Sequence, residues 1–363
     1  MKKILSRIAG YKVNKPTIPA PEKRPPIPNA PKSVMFFDQQ IPILKPTEYE
    51  GSNNPILSFI VIVYKMPQQA KKTLLSLTPS YQQGASVNDY EVLVVENSSD
   101  QNLEEEEVTS FGSNFSYHRR NEKNSTPVYA VNYGARQAKG DNIVLVIDGA
   151  RMLSPGVINY MIAATRLAEQ PIISVPGYHL GSKLQQRSIQ EGFDSKTEGK
   201  LLESIKWPND GYRLFEISCL SGTSGGGFFR PIGESNCLCI PVDIWKKIGG
   251  IDENFILIGG GQSNLDLYKR VVELPETTLI TLVGEGTFHQ VHGGVTTGQA
   301  KEDMRREIHK QHFAEYTALR GQPYSPPEKR SVFLGSFPDS AMKNVFHSSD
   351  VMLKSQATLP PKN

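Results

Sequence analysis

The chain has 363 residues, with 40 Lys+Arg against 37 Asp+Glu, 38% hydrophobic residues, 26 Pro, 30 Gly and 3 Cys, which is room for one large domain or two. A formal charge of +3 spread over this length gives no basic stripe for nucleic acid and no acidic excess of the kind found in solvating tails. The longest apolar run, 56–64, is far short of the ~20 residues of a membrane helix, and the basic start MKKILSRIAG lacks the ~7–15-residue apolar stretch of a secretory signal, so a cytoplasmic protein with at most peripheral membrane association is expected.

The first 50 residues hold nine of the 26 prolines, mixed with Lys and Arg, which removes backbone donors and blocks helices. Residues 1–54 therefore read as an arm, with Met35-Phe36-Phe37 able to dock on a body spanning 55–323. In that body short apolar runs alternate with helical patterns, the signature of a sheet with helices on its faces. LSFIVIVY (57–64) reads as a buried strand, and Pro67 opens a helix whose apolar face is Ala70, Leu74, Leu75 and Leu77. YEVLVVE (90–96) is a second strand. EEEE at 104–107 is a solvated surface. From Pro127, Val128, Val131, Ala135 and Ala138 recur at helical spacing until Gly140-Asp141, and NIVLVID (142–148) follows as a third strand.

Ser154-Pro155 caps a helix expected to reach about Glu169. The stretch 180–235, with SGTSGGG at 221–227, suits flexible loops over a site. NCLCI (236–240) is a strand leading through Pro241 to a short helix that stops at Gly249-Gly250. LDLYKRVVEL is helical, LITLV is a strand, and 301–320 is a long charged helix. Beyond 323 the chain reads as a tail, 324–363, with Pro326-Pro327 and Pro360-Pro361. Cys219, Cys237 and Cys239 cannot all pair, and the C-x-C spacing puts two of them on one strand face, so buried, reduced thiols are expected.

Four blocks in this order resemble the GT-A nucleotide-sugar glycosyltransferases of the family 2 type, over roughly 57–295. They are LSFIVIVY with EVLVVENSSD, PVYAVNYGARQAKGDNIVLVIDGA, SNCLCIPVDIWKKIGGIDENF, and NLDLYKR. The resemblance implies an α/β GT-A domain with a mixed, mostly parallel central sheet, its nucleotide-binding half in 55–170 and its acceptor-binding half in 171–323. In open α/β sheets ligands bind beyond the carboxyl ends of the strands. The resemblance therefore implies Tyr64 against a base and Glu96 accepting from a uracil ring nitrogen or a ribose hydroxyl, with Asn97, Asn132 and Arg136 as further nucleotide contacts.

Breaking a sugar–diphosphate bond leaves negative charge on the leaving group, and a divalent cation, Mn2+ or Mg2+, is the common way to offset it. Asp148, at a strand's carboxyl end, matches the first acid of the family's D-x-D signature. The second position is Ala150, followed by Arg151, so either further ligands come from elsewhere or Arg151 meets phosphate oxygens directly. The further ligands sit in HQVHGG: His289 and His292, which lie on opposite strand faces and share one ion only if the chain turns between them, with His292 favoured.

Inverting members of the family carry an E-D pair before the Asp-Leu-x-x-Arg segment, where this chain has Ser263-Asn264. An amide takes up no proton at neutral pH, and Asp266 lies ~200° round the helix from Asn264. Glu285 ranks first as a substitute base for its closeness in sequence to His289, ahead of Glu234, Asp252 and Glu253; a retaining reaction would need no such base. The turn from Gly259 to Asn264 resembles a phosphate cradle without a P-loop's ending, and is read as a close approach to an acceptor sugar with Asn264 bonding substrate.

The expected activity is glycosyl transfer from a nucleoside diphosphate sugar, UDP favoured, to a glycan or lipid-linked acceptor. The alternative is an inactive relative that binds nucleotide sugar or glycan, motivated by Ala150 and Asn264. A nucleotidyltransferase would show an early Gly-rich basic loop, absent from 64–69.

Overall fold

Seven consecutive buried residues, Leu57–Val63 (β1), lie inside an eight-stranded sheet. The computed structural model describes residues 54–122, 126–293 and 301–357; the expected docking of Met35-Phe36-Phe37 and nearly all of the Pro-rich arm fall outside the described residues. The other strands are Tyr90–Asn97 (β2), Phe115–Arg120 (β3), Asn142–Val146 (β4), Arg151–Leu153 (β5), Pro171–Ser174 (β6), Gly177–Leu180 (β7), Ser218–Leu220 (β8), Cys237–Pro241 (β9), Thr278–Val283 (β10), Thr287–His289 (β11) and Val332–Gly335 (β12).

The large sheet runs β12-β10-β6-β9-β4-β1-β2-β3, and the small one β5-β11-β7-β8. In the large sheet only β9 is antiparallel to its neighbours, β4 and β6; every other pair is parallel. This is the mixed, mostly parallel sheet expected from the sequence.

Burial on both faces explains the unbroken apolar runs. Phe59, Val61 and Val63 point to one core with Leu74 and Met161. Ile60 and Ile62 point to the other, against Val128 and Val131 of helix Val128–Gln137 and Leu267 of helix Ser263–Val272. A third core lies on the small sheet, where the rings of Tyr178, Phe215 and Phe288 meet with centroids 5.0–5.2 Å apart.

Local signals place most boundaries. Pro67 begins helix Pro67–Leu75, and Gly249, left-handed at φ 73°, ends helix Val242–Ile248. The helix expected to reach Glu169 spans only Val157–Ala164, and the strand expected to reach Asp148 stops at Val146. The three cysteines are free thiols, Cys237 and Cys239 buried and Cys219 only half-buried.

Two expectations are corrected. The stretch 180–235 carries helices Gln185–Gln190 and Ser195–Ser204 and the strand β8, because Leu202, Leu214 and Phe215 are buried in the third core. The supposed tail returns as β12 alongside β10, followed by helix Met342–Ala357. The junction depends on glycine: at Gly284, φ +77°, an added Cβ would stand 1.8 Å from the Ser336 carbonyl oxygen. No helix among the described residues is long and apolar enough to cross a membrane.

Candidate active site

The chain leaves β4 through Ile147 and reaches Asp148, whose φ of 60° is left-handed. The Asp148 carboxylate makes that conformation tolerable by accepting its own turn's Ala150 N–H at 3.2 Å through Oδ1. Arg151, 7% exposed, donates from Nε to the Ile147 carbonyl at 3.0 Å and from Nη2 to Asp148 Oδ2 at 3.4 Å.

Antiparallel pairing of β11 with β5 sets His289 opposite Arg151. Past His289 the chain turns. The Gln290 N–H bonds the Ala150 carbonyl at 2.8 Å, the Glu198 carboxylate accepts the Val291 N–H, and Gln69 Nε2 donates to the Val291 carbonyl at 2.7 Å. This turn brings the two imidazoles together. His292 Nε2 is 3.1 Å from His289 Nε2, and Asp148 Oδ2 is 3.2 Å and 3.9 Å from His289 and His292 respectively.

The tautomer of His289 follows from its other nitrogen. Nδ1 faces Gln185 Oε1, an acceptor whose amide is oriented by Nε2 lying toward the Gln290 carbonyl, so Nδ1 carries the proton. Nε2 is then a lone pair aimed at an anion and a second imidazole. Burial would raise the Asp148 carboxyl, but Arg151 and the two imidazoles outweigh it and hold it well below the usual carboxylate range. Burial pushes His292 down to about 4, and lowers His289 despite Asp148, so both rings are neutral near pH 7.

Two imidazole nitrogens and one carboxylate oxygen therefore converge on one point. Separations of 3.1 and 3.2 Å match the ~3 Å expected between adjacent ligands of one ion bound at ~2.1 Å, and the donor set suits a first-row divalent cation. The residues fit a metal.

Residues 58–215 match the family model described as Glycosyl transferase family 2. Among solved structures the chain resembles S. aureus TarS 1–349 at 12% identity and a TM-score of 0.44, over 72% of this chain and 65% of that one. The chain thus spans just under two thirds of that structure. TarS 1–349 in complex with UDP-GlcNAc gives 11%, 0.44, and 83% against 73%. A mannosyltransferase from Pyrobaculum calidifontis in complex with GDP-Man and Mn2+ gives 15%, 0.42, and 86% against 80%. No curated protein sequence matches.

The remaining residues singled out from the sequence fall into two groups. Tyr64, 41% exposed, Glu96 and Asn97 lie together at the carboxyl ends of β1 and β2, where Val63 pairs with Glu96. Glu96 Oε2 accepts from Leu103 N at 2.9 Å and the Tyr117 hydroxyl at 2.6 Å, whereas Glu96 Oε1 and Asn97 Oδ1, both buried, have no partner among the described residues. By strand order Asp148 is two strands from Glu96, ~10 Å.

Asn132 and Arg136 are not part of this cluster. The Asn132 amide ties helix Val128–Gln137 to the Ile251 backbone at 2.9 Å and to Glu253 at 2.8 Å. Arg136 lines a groove of about 1350 Å³ with Asp141, Pro171 and Pro241, at the opposite end of the parallel strands. Glu285 is also elsewhere: fully buried, it accepts from Ser154, from Gly156 N at 3.2 Å and from Tyr212 at 2.7 Å. With both oxygens engaged and no exposure it cannot meet an acceptor hydroxyl, which corrects the reading of Glu285 as base. Asp266, 1% exposed, faces away from Asn264 as the helix geometry requires and is clasped by Arg270 at 2.8 Å and Arg320. It is a structural anion and not a catalytic one.

The glycines of the expected cradle pack against protein, an added Cβ on Gly260 lying 2.9 Å from Pro127. Asn264 donates to Glu234 Oε1 and, at 3.2 Å, to Asn236 Oδ1. Sequence reading missed Gln185, Glu198 and Gln69. Nothing marks them in the sequence, because each acts by reaching a loop from 93 to 222 residues away.

Proposed function

We propose that this transferase moves a glycosyl group from a uridine diphosphate sugar to a hydroxyl of a glycan or lipid-linked saccharide, with a divalent cation held by Asp148, His289 and His292. The convergence of those three acceptors at the carboxyl end of β4 carries the reading. A cation bound there supplies positive charge to the departing diphosphate. Two imidazoles among three ligands favour manganese over magnesium, which prefers oxygen. Arg151 keeps Asp148 ionised and adds a second, permanent positive charge behind it.

The ~10 Å between Asp148 and Glu96 suits a nucleoside lying across β1 with its diphosphate at the cluster. Uridine is favoured over guanosine on donor count. Only one oxygen of Glu96 lacks a partner, which matches the single ring N–H of uracil in number, but the side chain is fully buried, so the exposed Tyr64 carries the contact to the base face.

The test is a thermal shift with UDP, with and without MnCl2. A rise in Tm is expected only with both present; at a hundred times its Kd a ligand adds ~2.7 kcal/mol. Asp148→Ala and His289→Ala are expected to abolish the manganese-dependent shift with circular dichroism unchanged. An undiminished shift in both variants removes the assignment.

A further inference from the structure

Most of the other carboxylates weighed as a base are committed to partners of their own. Glu285 and Asp266 are buried in their own networks, Asp252 meets Arg320 at 2.7 Å, and Glu198 holds the Val291 amide. Glu234 is different. It lies two residues before Asn236, whose carbonyl accepts the Ile147 N–H at 3.2 Å on the next strand. That bond carries the pairing one residue past the ladder's last pair, Val146 with Cys237, and Glu234 follows on the side of β4 opposite β1, near enough to Asp148 and Arg151 for both charges to act on its carboxyl.

One oxygen of Glu234 is fixed by the Asn264 amide; the other, Oε2, has no partner among the described residues. Burial raises its carboxyl, only partly opposed by the Asn264 bond and the charge of Arg151, while Asp148 raises it further. A carboxylate so placed has one oxygen locked for orientation and one available to a proton. Asn264 cannot accept that proton, but it can aim the group that does.

We infer that Glu234 is the general base of this transferase, with Asn264 its positioning residue. The inference rests on the function proposed above. The acceptor O–H proton passes to Glu234 Oε2 as the oxygen bonds the anomeric carbon, and the bond from that carbon to the diphosphate breaks, its electron pair leaving with the diphosphate oxygen. A base on the far side of the anomeric carbon from the leaving group inverts the configuration.

The experiment uses the full chain, MnCl2 and UDP-glucose, with water as the acceptor and proton NMR to identify the first anomer released. Wild type is expected to yield β-glucose from the α-linked donor, and Glu234→Gln to lower kcat at least 100-fold while its manganese-dependent thermal shift with UDP stays within 1 °C. Glu234→Gln/Asn264→Asp, which moves a carboxylate to the neighbouring position, is expected to regain at least tenfold. Glu234→Gln turning over within threefold of wild type, α-glucose as first product, or nucleotide binding without any release of glucose by wild type each overturn the base. Loss of the UDP shift in wild type itself overturns the function on which it rests.

Discussion

His289 shows what a single side chain needs in order to serve as a ligand. Its Nδ1 proton must be parked so that Nε2 stays bare, and Gln185 Oε1 takes it. Gln185→Leu removes that acceptor, leaving the ring free to change tautomer and turn. Manganese affinity is expected to fall ~10–100-fold, measured by the Mn2+ electron paramagnetic resonance signal of unbound ion; unchanged affinity would show that the strand alone orients the ring. Glu285 has a different physical role, in stability. Burial raises its carboxyl to about 7, above the ordinary 4.5, so the folded protein holds a proton there that the unfolded chain releases. Stability from this group is therefore full below about pH 4.5 and lost as pH rises through about 7. The loss is on the order of 3 kcal/mol at pH above 8. Glu285→Gln, isosteric with the protonated acid, is expected to flatten the fall in Tm between pH 5 and 8; an equally steep fall in the variant would locate the titrating group elsewhere.

At the scale of elements, the proposed metal site depends on a turn held from both sides. Helix Pro67–Leu75 grips the Val291 carbonyl through Gln69, and helix Ser195–Ser204 grips the Val291 amide through Glu198, itself pushed up to about 7 by burial. Glu198→Ala releases the amide between the two histidines, so manganese affinity is expected to drop about tenfold with little change in Tm beyond that of an ordinary core substitution. A variant binding manganese as wild type does would mean that Gln69 suffices. Strand β4 with Asp148 at its carboxyl end was readable from its apolar run, and so was the need for a turn between His289 and His292, since period two puts them on opposite faces. The supports of that turn were not readable. Glu198 sits in a charged, polar segment that looks like a solvated loop, and only the third core beneath it, with Leu202 and Phe215, makes it an ordered helix. Glu285 was misread for the opposite reason: nearness in sequence to His289 counted for less than the bond to Ser154 that draws it under the sheet.

On the scale of the whole molecule, the chain after 324 completes the sheet rather than trailing from it. Its four-residue strand was hidden in the sequence because an edge strand exposed on alternate residues needs no long apolar run. Without β12, the Ile280–Val283 edge of β10 would face solvent, and without Phe337, Ala341 and Val345 the third core would lose one wall. Lys343 also reaches from helix Met342–Ala357 to the carbonyls of Glu216 and Ser218, at 2.9 and 2.8 Å, closing the backbone around β8. Removing residues 325–363 forfeits about 5 kcal/mol of apolar burial alone, taking ~1.5–3 kcal/mol per large side chain. At ~2–4 °C per kcal/mol for a domain of this size, Tm is expected to fall by at least ~10 °C. The proposed metal cluster is built from β4, β11 and the turn after β11, none of which pairs with β12, so what survives folded at 15 °C is expected to retain manganese binding. A truncated chain melting where the full chain does would refute the structural role of the segment, and one that is folded but blind to manganese would show that the sheet edge and the metal site are coupled.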